Sequence, residues 1–104
     1  MLTILRTQEF DKWLNALRDL RGRARIIAGL LAAEQGNFGD CRSVGQGVSE
    51  MRVHFGPGYR VYFTRIGEEV HVLLSGGDKS SQSRALVEAA EAKPGKRGPY
   101  KRIG

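Results

Sequence analysis

The sequence predicts a single α+β domain: an N-terminal strand and a helix hairpin packed on an antiparallel β-meander, closed by a short C-terminal helix. Three observations predict it. Apolar residues recur at helical spacing from Phe10 to Leu31. From Arg42 onward they alternate with polar ones, in runs separated by glycine-rich turns. A last helical stretch ends before Pro94.

Leu2 to Leu5 reads as a first strand. Thr7 is placed to cap a helix and Glu9 suits its first turn. Phe10, Trp13, Leu14 and Leu17 then form an apolar stripe, extended by Leu20, and Gly22 marks the break. In the second helix Ala24, Ile27, Ala28 and Leu31 form the expected packing stripe, widened by Ile26 and Leu30. Gly36 stops it, and Asn37 to Asp40 reads as loop.

Arg42 and Val44 begin the extended half. In Val48 to Phe55, the side chains of Met51, Val53 and Phe55 point one way, and those of Glu50, Arg52 and His54 the other. After the Gly56-Pro57-Gly58 turn, Tyr59, Val61 and Phe63 face one side and Arg60, Tyr62 and Thr64 the opposite one. Gly67-Glu68 is a second turn. Val70 to Ser75 is the most apolar strand and is expected at the sheet centre, ended by Gly76 and Gly77. A third helix runs roughly from Gln82 to Ala92, with Leu86, Val87 and Ala90 available for packing.

The domain thus spans residues 1–92. Residues 93–104 form a basic tail with too few apolar groups to bury, expected to be disordered alone. The chain of 104 residues has room for one core.

Lysine and arginine number 17 against 11 acidic residues, a formal charge of +6. A small domain with this surplus points to an anionic partner, nucleic acid first. Cys41 is the single cysteine, so no disulfide forms within the chain, which fits a reducing compartment. No apolar run in Met1–Phe10 suggests a signal peptide, and none elsewhere approaches a membrane span. The cytoplasm is the expected location.

Pairing across the Gly56-Pro57-Gly58 turn brings Arg52 and His54 near Arg60 and Tyr62 on one sheet face, expected to be partly open. Facing like charges cost stability, so an anionic ligand or an acidic neighbour is required, and Glu50 is on the same face. His71 lies on the following strand and Lys79 just beyond its glycine corner. Metal-free RNA cleavage needs cations on the phosphate and a group that exchanges protons, which arginine, lysine and histidine provide. The same pattern also fits a solvated face with scattered basic residues. No metal-ligand spacing, phosphate-binding glycine loop or serine nucleophile motif is present, and no cofactor is expected.

Four segments, Gly36-Asn37-Phe38-Gly39-Asp40, Gly45 to Arg52, Gly56 to Phe63 and Leu74 to Gln82, occur in an order that resembles a known set. They resemble the phage-derived addiction-module killer proteins, the HigB-like branch of the RelE/ParE superfamily, from about Leu2 to Ala90. The resemblance implies a RelE-like fold and the toxin role in a type II toxin–antitoxin pair. It implies a cognate antitoxin as partner, with the toxin a monomer or part of a hetero-oligomer. For nuclease branches it implies ribosome-dependent cleavage of mRNA. It places Arg52, Arg60 and Lys79 among the residues contacting the scissile phosphate, with His54 at a further basic strand position. Arg42, Tyr62 and His71 are the remaining RNA-binding candidates. Two departures stand out. Glu50 replaces a basic residue of RelE, and Ala85 falls near the helix tyrosine used by some members. Tyr100 could stand in for it only if the tail folded back. The superfamily leaves two other readings open: a ParE-like inhibitor of DNA gyrase, and a module that only binds its antitoxin.

Overall fold

A computed structural model of the chain describes residues 1–92 and 101–102. Among the described residues the fold is α+β, with three helices and one mixed sheet. The elements in order are β1 (Thr3–Arg6), α1 (Gln8–Ala16), α2 (Leu20–Glu34), β2 (Asp40–Gly45), β3 (Val48–Val53), β4 (Tyr59–Ile66), β5 (Val70–Asp78), α3 (Gln82–Glu91) and β6 (Lys101–Arg102). The sheet order is β2-β3-β4-β5-β1-β6. Strands β2 to β5 form the expected antiparallel meander, and β5 is interior, between β4 and β1. Strand β1 runs parallel to β5, so the sheet is mixed rather than purely antiparallel. The expectation of a disordered tail falls mostly outside the described residues; within them, Lys101 and Arg102 pair with Arg6 and Leu5.

The two faces of the sheet carry separate cores. On one, Phe10 and Leu14 of α1 and Ile26, Leu30 and Ala33 of α2 pack on Met51, Tyr59, Val61 and Phe63. On the other, Ala85 and Ala89 of α3 and the adjoining Ala92 pack on Val48, Tyr62, Val72 and Leu74. The alternation of β4 therefore holds as the sequence predicts. The face opposite α1 and α2 is not simply open, because α3 covers part of it. In α3 the small Ala85 and Ala89 face the sheet and Leu86 packs beside them as expected, while Val87 is exposed, contrary to expectation.

Polar side chains anchor the helices. Thr7 caps α1 by accepting from Phe10 N at 3.1 Å, and its hydroxyl donates to the Leu73 carbonyl at 2.9 Å. Asp19 caps α2, its Oδ1 accepting from Gly22 N at 3.0 Å and its Oδ2 from the Tyr59 hydroxyl at 2.7 Å. Burial and that hydrogen bond push the Tyr59 hydroxyl up to about 12, so it remains a donor. Gly22 is thus not the break between helices but part of the first turn of α2. A Cβ there would lie 2.5 Å from a Tyr59 ring carbon.

The buried side of α2 is Gly22, Ile26, Leu30 and Ala33. The expected stripe of Ala24, Ile27, Ala28 and Leu31 faces outward, and Leu20 is 72% exposed. Helix α2 is apolar on two sides, and the Asp19–Tyr59 anchor selects which one faces the sheet.

Gly76 and Gly77 lie within β5 rather than ending it. A Cβ on Gly76 would sit 2.1 Å from the Trp13 ring, and one on Gly77 would sit 2.9 Å from Ser81 Oγ. The glycines thus admit Trp13 on one face and the start of α3 on the other, not a ligand.

The two glycines of α2 should respond oppositely to alanine. Gly22→Ala should destabilise by about 1–3 kcal/mol through overpacking against Tyr59. At Gly29 a Cβ would find Met51 Cε at 3.5 Å, an ordinary contact. Gly29→Ala should therefore stabilise by roughly 0.5–1 kcal/mol through helix propensity. Urea unfolding midpoints of the two variants measure both signs.

Candidate functional site

Where β2, β3 and β4 run side by side, their polar faces form two rows. Arg42, Glu50 and Tyr62 are successive cross-strand partners in one, and Asp40, Arg52 and Arg60 in the other. The expected meeting of Arg52 and Arg60 on one face is therefore present, and they stand directly opposite each other. Such a facing pair of cations requires a counter-charge.

Glu50 supplies it. Its side chain has 0% solvent exposure. Oε1 accepts from Arg52 Nε at 3.0 Å, and from Arg42 Nε and Arg60 Nη1 at 3.4 Å each. Oε2 accepts from the Tyr62 hydroxyl at 2.9 Å. Burial alone would raise the Glu50 pKa. Hydrogen bonds from Arg52 and Tyr62 and the charge of Arg60 outweigh it, so the carboxyl stays below its ordinary value. Burial, then the bond to Glu50, pushes the Tyr62 hydroxyl well up, so it stays a donor.

Three guanidiniums meet one carboxylate, leaving two positive charges in excess. Asp40, beside Arg52, offsets one of them. The arginines grade from 57% side-chain exposure at Arg42 through 29% at Arg52 to 14% at Arg60. Arg60 Nε is buried and has no hydrogen-bond partner among the described residues. A buried donor without a partner is costly.

His54 follows the end of β3 and joins the site through Asp40, its Nε2 lying 2.7 Å from Asp40 Oδ2. That bond, with the charges of Arg52 and Arg42, holds the Asp40 carboxyl below its ordinary value against desolvation. With one ring nitrogen on a carboxylate, the imidazole is oriented and the other nitrogen is left for a ligand. Asp40 begins β2, where the sequence predicts a loop. The signal that reveals it is the alternation of Asp40, Arg42 and Val44, which starts two residues earlier than Arg42.

The remaining candidates are placed differently. Tyr62 is fully buried and reaches a ligand only through Glu50. His71 lies on the α1–α2 face, its ring 4.8 Å from Phe38 and 5.8 Å from Phe63, and is not brought to the arginines. Burial and then Arg65 lower its pKa. Lys79 is exposed in the turn after β5, two residues beyond Gly77, the cross-strand partner of Arg60. It makes no ion pair with the cluster among the described residues. Among those residues no group of three His, Cys, Asp or Glu side chains is placed to hold a metal ion. Among the described residues no helix is long and apolar enough to cross a membrane.

Fold and site together define a small α+β protein whose sheet carries an arginine cluster organised by one buried carboxylate. No family model matches the chain. A Haemophilus influenzae protein, described as uncharacterized, is 42% identical over 88 residues, which cover 85% of this chain and 89% of that protein. The chain belongs to the family of that protein.

Acid should loosen this cluster. In the unfolded chain Glu50 titrates near its ordinary 4.5, and in the fold below it. As pH falls, protons therefore bind the unfolded chain first. The contribution of Glu50 to stability is complete above about 4.5 and is lost as pH drops through the folded-state value. Glu50→Gln should lose about 3 kcal/mol at pH 7, the low end for breaking a buried pair, because Arg42 and Arg52 reach water. Its urea midpoint should also fall less steeply than the wild type's between pH 5 and pH 3.

Proposed function

We propose that the chain is the RelE-like toxin of a type II toxin–antitoxin pair and cleaves mRNA on the ribosome without a metal. One observation carries this reading: Arg42, Arg52 and Arg60 converge on a single buried carboxylate and keep a positive excess beside an oriented imidazole. The helices and meander suit such a fold, and the segment resemblance suits such a family. Ribosomes set the site of action in the cytoplasm.

In the reaction the ribose 2′-oxygen attacks the neighbouring phosphorus as its proton leaves. The bond from phosphorus to the 5′-oxygen breaks, and that oxygen takes up a proton. The products are a 2′,3′-cyclic phosphate and a 5′-hydroxyl. Negative charge grows on the non-bridging oxygens, where fixed cations are worth most. Arg60 is the main clamp, since it is the least exposed arginine of the cluster and its Nε is free to donate. Arg52 assists, and Lys79 adds charge from the rim. His54 exchanges one of the two protons, and Asp40 holds its ring. Glu50 is a positioning residue: it is sealed from solvent and already accepts from four side chains. The missing helix tyrosine is consistent with a site in which arginines supply most of the stabilisation.

A toxin must be held silent by its antitoxin. The outward stripe of α2, with Leu20, Ile27 and Leu31 exposed, offers apolar surface for that partner.

Expression of the chain without an antitoxin should arrest growth, with mRNA cut at ribosome-bound positions. Arg60→Ala should cost about 2–4 kcal/mol of transition-state stabilisation, roughly 30- to 1,000-fold in rate, and restore growth. Circular dichroism should show the variant folded. Undiminished arrest by that folded variant, or unchanged growth with the wild type, defeats the nuclease reading.

A further inference from the structure

The side of α2 turned away from the sheet carries a regular seam. Leu20, Ala24, Ile27 and Leu31 are all exposed and follow one another at spacings of four, three and four. Leu20, Ile27 and Leu31 are 72%, 38% and 48% exposed. Single apolar residues on a surface are ordinary, but a contiguous row of them marks a contact site. Spacings of four and three are those of the a and d positions of a heptad, the pattern by which one helix packs along another. The seam ends at Leu31, because the next position of the repeat is Glu34.

The fold itself does not use this pattern. The buried side of α2 is formed by Gly22, Ile26, Leu30 and Ala33, and the seam lies opposite them. Helix α2 is thus built to pack on two sides, and the chain occupies one.

Charge says what fits the other. At about 100° per residue, Arg21 and Arg23 fall on opposite flanks of the seam. These are the e and g positions, whose charges select the partner of a packed helix. Arg23 donates to the Asn15 side-chain oxygen at 3.1 Å. Neither arginine forms an ion pair among the described residues. A second copy of the chain suits the seam poorly, since it brings the same two arginines and a formal charge of +6. Nucleic acid would use the arginines but set a charged backbone against the leucines and isoleucine.

We infer that the outer seam of α2 docks one amphipathic helix of a partner protein, apolar along its centre and acidic on both flanks. This rests on the toxin–antitoxin reading, in which that helix is the antitoxin's, and it gives the contact its shape and charge.

The test titrates the full chain with a synthetic helix of about three heptads, leucine at a and d and glutamate at e and g, and with a twin carrying lysine at e and g. The acidic peptide should bind roughly tenfold more tightly than the twin at low salt, and high salt should erase the difference. Arg21→Glu with Arg23→Glu should reverse the preference. Glutamate near a helix N-terminus is favourable, so this variant folds. Ile27→Ser with Leu31→Ser, both at exposed positions, should abolish binding of the acidic peptide. The chain alone should sediment as a monomer.

Equal binding of the two peptides overturns the acidic partner, and binding of neither overturns the seam. A dimer of the chain alone that the serine variant dissociates gives the seam to a second copy. Displacement of the acidic peptide by oligoadenylate gives the flanking arginines to nucleic acid. Growth arrest is read separately. If expression of the chain alone arrests growth and no peptide binds, the seam fails and the toxin reading stands. If growth is unchanged, the toxin reading fails, and the peptides still decide the seam.

Discussion

Glu50 has no contact with water, yet it remains ionised because three guanidiniums and a tyrosine hydroxyl replace the solvent it lost. Taking a carboxylate out of water costs several kcal/mol, and only good geometry offsets it. The geometry comes from the sheet. Glu50 stands opposite Arg42 on one side and Tyr62 on the other, while Arg52 and Arg60 face each other one row along. Slipping any of these strands by one residue would turn its partners to the α1–α2 core and leave the carboxylate unpaired. The ion cluster and the strand register therefore enforce each other. Removing the carboxylate would set Arg52 against Arg60 with nothing between them.

The helices decide where that cluster is accessible. On one face α1 and α2 cover the meander through large apolar side chains. On the other, α3 packs through Ala85 and Ala89 and is tied down by Ser75, whose hydroxyl donates to the Ala85 carbonyl at 2.6 Å. Asp78 fixes the turn before α3 by accepting from Ser80 N and Ser81 N. At 10 residues α3 is about 15 Å long, enough to cross only some of the strands. It covers Tyr62 and leaves Arg42 and Arg52 partly in water. The graded exposure of the three arginines follows from that coverage.

Much of this was legible in the sequence, because strand alternation has a period of two and admits a single solution once a core is assumed. It put Arg52, Arg60 and Glu50 on one face, and it named Glu50 as the acid that could reconcile the two arginines. Thr7 was legible as a cap because its role is local. Other features depend on distant partners and were not legible. The choice between the two apolar sides of α2 follows from Asp19 and Tyr59, 40 positions apart. The extended conformation of Asp40 depends on pairing with Arg52. Gly76 and Gly77 resemble a strand end until Trp13 and α3 are seen against them. His71 has the parity of a polar position, but Phe38 and Phe63 enclose it on the apolar face.

Glu50 also bears on how the proposed reaction divides its labour. A carboxylate held below its ordinary pKa and shut off from solvent is poorly suited to exchange protons with a substrate. What it does instead is keep three guanidiniums in fixed positions before any phosphate arrives. Their reorganisation is thus completed during folding rather than during the reaction, and this is the condition under which fixed charges stabilise a transition state best. Proton exchange is left to the rim, where His54 is exposed and steadied by Asp40. Arg60, least exposed and with an unused donor, stands at the inner end of the same face. A phosphodiester lying between them would meet rigid positive charge on its inner side and a proton-exchanging group on its outer side. The cost of burying Glu50 is in this sense part of the proposed catalytic arrangement.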